Sequence, residues 1–398
     1  MKIVPLVCLI LLAVATSALA AAPSRPKLLG TTPKETSAQQ IATDGLDTGN
    51  AEAAATNLPP DEYTRGRIIS ITPTGYQIKL DSGKESGQTV TVKTEDVELA
   101  NGTGELKVGA AVVVVKSWED GGMPSYHLLD DYRLPALAII FAIFLAAVTV
   151  IGGWRGVTSV IGLAATVGVI VGYIVPTIVH GGDALNTCLI GTFVIAAASL
   201  YLAHGFNRRT TVALSSTVLA LGFSARLASN WVSLTRLFGT GSEEAMYLKN
   251  NGFDGLDLRG LLLGGIMLGV LGILDDITTA QAAVVEELKR ANPSLGWREL
   301  FRRSLSVGRE HIASLVNTLF LAYAGIGLPL FLLLVASKDQ PLWLTLNSEM
   351  IADEVVRTLV GSVCLVLAVP LTGVIAAVYY GRPGVKLTDQ APPGHQHG

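Results

Sequence analysis

Seven stretches of this chain are apolar over lengths that can cross a bilayer, and that feature excludes most water-soluble folds. A spanning helix takes about 20 predominantly apolar residues. The pattern predicts spans at Leu134–Ile151, Val157–Val179, Ala184–His204, Thr210–Val232, Gly260–Thr279, Ile312–Val335 and Val355–Tyr380. In the fourth, Arg226, Ser229 and Asn230 dilute the outer end. Charged residues make up 15% of the 398, against roughly 25% in soluble domains. The expected fold class is an α-helical polytopic membrane protein with about seven transmembrane helices.

The residues before the first span divide into three parts. Lys2, the apolar run Ile3 to Val14 and Ala18-Leu19-Ala20 have the layout of a signal peptide over 1–20. Residues 21–60 are rich in Ala, Thr, Pro and Gly, cannot bury enough surface to offset their ordering entropy, and read as a disordered tether. From 61 to 129 the period changes to two. Arg65 to Ile71, Tyr76 to Leu80, Thr89 to Val92 and Ala110 to Val115 read as strands, with turns at Asp81-Ser82-Gly83 and Asn101-Gly102. This predicts a small extracytoplasmic β-barrel-like domain of OB or SH3 type. No cluster of stacking aromatics or global basic charge (net −3) points to nucleic acid.

Basic residues set the orientation, since retained loops are rich in Lys and Arg on the cytoplasmic side. With the N-terminus outside, the inner loops hold Arg155, Arg208, Arg209, Lys289, Arg290, Arg298, Arg302, Arg303 and Arg309, and the tail 382–398 adds Arg382 and Lys386. The outer loops hold the acids Glu243, Glu244, Asp254, Asp257, Asp339 and Glu349. Three cysteines, one in the leader and two inside spans, favour neither a disulfide framework nor a zinc site. Gly168-x-x-x-Gly172, Gly260-x-x-x-Gly264 and Gly265-x-x-x-Gly269 allow close helix approach.

Ionisable groups inside lipid are costly and need a partner, a cavity or a function. An inner layer centres on Asp275 and Asp276 in the membrane domain (130–381). Thr279 shares a helical face with both, and Gln281 extends it. The antiparallel sixth span brings Asn317 to a comparable depth, so Asp276, Thr279 and Asn317 are expected in one oxygen-rich pocket that carries a proton or cation. The alternative is a structural pairing of the acids with Arg208, Arg209 or Arg309. An outer layer comprises Arg226, Asp353, Glu354 and Arg357, with Glu354 the expected partner of Arg226. Protease elements are incomplete: Leu274 interrupts a glycine-x-glycine-aspartate pattern, and Ala225 replaces the last glycine after Ser224. With no zinc-protease or phosphate-loop motif either, the chain is expected to be neither an enzyme nor a cofactor protein.

Several motifs, in order, carry a family resemblance. They are Gly153-Trp154-Arg155-Gly156, Leu202-Ala203-His204-Gly205-Phe206-Asn207-Arg208-Arg209-Thr210, Gly241-Ser242-Glu243-Glu244 and Leu271-Gly272-Ile273-Leu274-Asp275-Asp276. Gly308-Arg309-Glu310-His311-Ile312, Asn317-Thr318-Leu319-Phe320-Leu321-Ala322-Tyr323-Ala324-Gly325, Ala352-Asp353-Glu354-Val355-Val356-Arg357 and Val369-Pro370-Leu371-Thr372 follow. Over roughly Arg65 to Thr372 the chain resembles the YibE/F family of multi-pass bacterial membrane proteins. The resemblance implies a β-rich extracytoplasmic segment before a helical membrane domain in the bacterial cell membrane. Its single Asp aligns with Asp276, ahead of Thr278 and Thr279. Asp275 stands where an apolar residue is expected, and Glu310-His311 replaces a more usual Asp-apolar pair. The leading expectation is a permease moving a small solute or ion. The rival is a membrane scaffold or sensor that binds an extracytoplasmic protein or cell-wall partner through the β domain. The oligomeric state stays open.

Overall fold

The computed structural model of the chain describes residues 60–96, 106–118, 123–251, 253, 255–336, 340–385 and 387. The expected signal peptide, the tether up to residue 59, the Asn101-Gly102 turn, the acids Asp254 and Asp339, and most of the tail lie outside the described residues. Two compact units divide within one long helix, between Ala147 and Val148.

In the larger unit, α1 (Leu134–Val169) continues through a π-helical turn into α2 (Val175–Val179). Then follow α3 (Ala184–His204), α4 (Arg208–Leu234), α5 (Glu243–Asn250), α6 (Leu258–Ala291), α7 (Trp297–Ile326), α8 (Leu328–Ala336), α9 (Leu342–Leu346) and α10 (Glu349–Tyr380). Several starts are written locally. The side chains of Asp183, Asn207, Ser242 and Asp257 each accept the backbone N–H three residues on, satisfying one orphan donor. Among the described residues, five helices are long and apolar enough to cross a membrane, or six if α7 and α8 form one bent span.

Three of the expected spans differ in form, the first two because they join in one run. Leu134–Val179 runs 46 residues, about 69 Å if straight and roughly twice a hydrocarbon core. It is broken at Gly153, whose φ of 55° and ψ of −136° leave the helical region at a residue without a Cβ to clash. The expected sixth span is not one rod: α7 and α8 meet at 63°. Gly327 lies at the joint, and Pro329 both lacks an N–H and disfavours helix in the residue before it.

α6 is the central element, packed against α3, α4, α7 and α10. Its Gly260 and Gly264 face α3, and a Cβ at Gly264 would lie 2.9 Å from the Cβ of Cys188. Gly265 and Gly269 face α10 and α7, towards Arg357 and Tyr323. The expected close approach is present along Gly260 and Gly264, whereas Gly265 and Gly269 meet only the ends of the long Arg357 and Tyr323 side chains. At Gly168 and Gly172 nothing approaches within 4 Å.

The smaller unit contains an antiparallel sheet of β1 (Glu62–Thr72), β2 (Gly75–Leu80), β3 (Thr89–Lys93), β4 (Ala111–Trp118) and β5 (Pro124–Asp131). The order is β3-β2-β1-β4-β5. Period-two alternation places Ile68, Ile78, Val90, Val92, Val112, Val114 and Leu128 on one buried face. β5 lacks clean alternation and was not legible as a run of its own. Beside this core, Lys116 Nζ contacts Glu85 Oε1 at 2.5 Å, Tyr126 donates its hydroxyl to Glu85 Oε2 at 2.8 Å, and the ammonium lies 4.7 Å from the Trp118 ring centre.

The hydrogen bond from Lys116, helped by Tyr126, holds the Glu85 carboxyl below the usual glutamate value. The stabilisation is therefore present above the ordinary glutamate pKa of about 4.3 and lost as pH falls through the depressed value. In the full-length protein with its other four tryptophans changed to Phe, Trp118 emission should show an acid transition below about pH 4. Glu85→Gln should weaken the unit at neutral pH and remove that carboxyl's share of the acid sensitivity.

Candidate functional site

The adjacent acids of α6 point about 100° apart, and the structure sends them to different neighbours. Asp275 faces α3: its Oδ2 accepts from Ser199 Oγ at 2.9 Å, and His204 lies close enough to interact electrostatically. Its Oδ1 is buried without a hydrogen-bond partner, as is Thr279 Oγ1 one turn on. Asp276 is exposed towards a cavity of about 150 Å³ among α6, α7 and α10. The lining is Asp276, Ile277, Ala280, Gln281, His311, Leu315 and Val369.

The expected pocket is thus partly rebuilt. Asp276 and Gln281 line it. Thr279 is absent from the lining, and Asn317 is exposed elsewhere on α7. Depth was not the error. His311 and Leu315, four apart, present the α7 face that meets the cavity, and Asn317 lies two residues further, about 200° round the helix. His311 takes the place that Asn317 was expected to fill. The one signal for it was its position where the family resemblance expects an apolar residue.

Gln281 is held in place. Its Nε2 donates to the Ser304 carbonyl at 3.1 Å. A Cβ at Gly308 would lie 3.1 Å from its Oε1, and one at Gly373 would lie 3.4 Å from its Nε2. Two glycines, on α7 and α10, make room for this amide. Beside it, the buried hydroxyls of Thr278 and Thr217 meet at 2.7 Å and join α6 to α4.

Arg209 does not neutralise the acid pair. It reaches Glu286, fully buried on α6, at 2.5 Å, and lies 3.7 Å from Glu287. Glu286 is also 3.7 Å from Arg290. Asp275 and Asp276 therefore keep no arginine partner among the described residues, and Glu286 is the buried acid that the sequence reading passed over.

In the outer layer, Glu354 pairs with Arg357 at 3.4 Å, one turn along α10. The expected Arg226–Glu354 contact is not formed. α4 buries Leu221, Ser224, Ala228 and Val232, and Arg226, midway between Ser224 and Ala228, projects from the opposite, exposed side. Glu349 joins this layer beside the expected Asp353. Glu349 accepts the N–H groups of Phe238 and Thr240 and the hydroxyl of Thr240, at 2.7, 3.0 and 2.7 Å. Asp353 is 7% exposed and accepts from the backbone of Gly241. Gly241-Ser242-Glu243-Glu244 and Ala352 to Arg357, distant in the chain, thus meet in one cluster.

The family profile described as YibE/F-like protein matches residues 140–382. The chain belongs to this family. The matched region covers the cavity, the Arg209–Glu286 pair and the outer acids. No curated protein and no solved structure matches the chain. The YibE/F assignment therefore carries architecture, and the chemistry rests on the geometry above.

Removing one partner of a buried ion pair strands the other charge, at a cost of roughly 3 kcal/mol or more. Arg209→Met should lower the thermal midpoint of the purified protein substantially. Adding Glu286→Gln should recover part of that loss, and purely additive melting temperatures would count against a coupled pair.

Proposed function

We propose that this YibE/F protein is a permease-like membrane protein whose inner cavity binds a proton or small cation through Asp276 and His311. The observation that carries the reading is their convergence: two titratable side chains from separate spanning helices share one cavity with Gln281, away from every arginine pair described. Gln281 supplies a fixed amide, while Asp275, anchored by Ser199, tunes the field behind Asp276 without lining the cavity. Acids and histidines inside membrane segments are costly, and a cavity that they share is the ordinary setting of an ion or proton pathway.

The same proposal covers topology. The 46-residue run broken at Gly153 is read as two spans, and α7 with α8 as one bent span, which gives seven in total. The basic residues of the α6–α7 turn then lie in the cytoplasm and the β unit outside, in the bacterial cell membrane. The strand order, with edge strands β3 and β5 drawn near each other, supports an OB-type barrel open at one seam. No catalytic role is proposed for any residue.

The test is a thermal-stability scan of the purified protein across pH, alkali cations and a metabolite panel. A ligand at a hundred times its Kd should stabilise the wild type by about 2.7 kcal/mol. That gain should vanish in a folded Asp276→Asn and shrink in His311→Ala. An undiminished gain in Asp276→Asn sinks the assignment and favours the scaffold alternative.

A further inference from the structure

The largest cavity described in the membrane unit, about 410 Å³, is not the ion site. It lies between the α7–α8 bend and the first half of α10. One wall carries Phe320, Tyr323, Phe331 and Leu334. On the other, Glu354, Thr358 and Ser362 follow one another at one-turn spacing along α10. No charged residue occurs on α10 between Arg357 and its end at Tyr380, so Glu354 marks the level at which this helix enters hydrocarbon. From there the slot descends two turns, about 12 Å, to Ser362.

The slot is therefore graded, with a carboxylate at the mouth and apolar walls below. Ser362 donates its hydroxyl to the Thr358 carbonyl at 2.8 Å and so has no proton to offer a ligand. Glu354 has spare capacity. Its Oε2 lies 3.4 Å from Arg357 Nε without hydrogen-bond geometry, and both atoms are buried with no hydrogen-bond partner. Arg357 is turned towards α6, with Nη1 3.8 Å from the Cβ position of Gly265. Arg357 thus holds Oε2 on the protein side, and Oε1, which is not buried and accepts no hydrogen bond among the described residues, is the acceptor left for a donor that arrives with an apolar body.

We propose that this slot binds one acyl chain of a membrane phospholipid whose headgroup carries a primary amine. The ammonium donates to Glu354, and the chain lies along α10 as far as Ser362. An anionic headgroup is repelled by the carboxylate, and a choline headgroup has no N–H to give it. The 63° bend at Gly327 keeps the slot open by carrying α8 away from the line of α7. This inference is independent of the ion reading of the inner cavity.

The test uses the full-length protein, delipidated in detergent and offered an equimolar mixture of phosphatidylethanolamine, phosphatidylglycerol and phosphatidylcholine with identical chains. Native mass spectrometry reads what is retained. Wild type should keep one phosphatidylethanolamine in preference to the other two. Glu354→Gln should retain it about tenfold less, the loss of one charge-assisted hydrogen bond. Ser362→Trp, which fills the foot of the slot and leaves Glu354 intact, should abolish retention, with melting curves reporting that each variant is folded. Equal retention of all three headgroups by the wild type overturns the proposal without any variant. Unchanged retention in both variants, or a lipid-free dimer in place of the lipid adduct, overturns it as well.

Discussion

Hydrocarbon offers no hydrogen bonds, so every polar atom that a helix carries into it has to be matched by a neighbouring helix. The membrane unit is organised by the way α6 meets that demand. Thr278 is matched by Thr217 of α4, Gln281 by the Ser304 carbonyl of α7, Asp275 by Ser199 of α3, and Glu286 by Arg209. Four contacts tie one helix to three others and fix its rotation. Among the described residues Asp276 and His311 form no such hydrogen bond, and together with Gln281 they line a cavity.

Depth was more legible in the sequence than direction. An apolar run gives the level of each residue to within about a turn. Which way a side chain faces depends on how its helix is rotated, and that rotation is set by contacts with other helices. Arg226 and Asn317 were assigned partners by depth, yet each lies about 200° from the packed face of its helix. Ser199 gives no warning in an alanine-rich span, because a lone serine there has many harmless explanations. Glu286 lies beyond the expected end of its span at Thr279, and the extension of α6 past that point is a tertiary outcome. The strands of the β unit were easier, because alternation reports both position and face; only β5, with its weak alternation, escaped.

Glycine and proline explain the remaining differences of form. An apolar stretch fixes a length in hydrocarbon but not a straight path. Gly153 divides a run twice the needed length, and the Gly325-Ile326-Gly327-Leu328-Pro329 segment bends a run that composition alone presents as one helix. The bend matters more than the count. A straight helix would pack its side chains against α10 along its whole length, whereas the broken one leaves the apolar chamber that Glu354 lines.

α6 and α10 run parallel in a constant register, with Gly265 beside Arg357 and Gln281 beside Gly373. In that register Asp276 lies level with Ala368, eleven residues past Arg357, so about 17 Å of helix separates the outer charge layer from the inner cavity. The intervening layer is Val360, Cys364, Leu365 and Ala368 packed on Met267, Val270, Leu271 and Leu274, all buried and closely fitted. Its polar contacts are few: Ser224 of α4 donates its hydroxyl to Cys364 Sγ at 2.8 Å, and the Tyr323 hydroxyl lies 3.4 Å from the Cβ position of Gly269. On the proposed ion reading, a path from Asp276 to the outer layer would require α7 or α10 to move against α6. The space at the glycines along that contact is taken up by side chains, Gln281 and Val369 at Gly308, Gln281 again at Gly373, Arg357 at Gly265 and Tyr323 at Gly269, so such a shift has to carry these side chains with it.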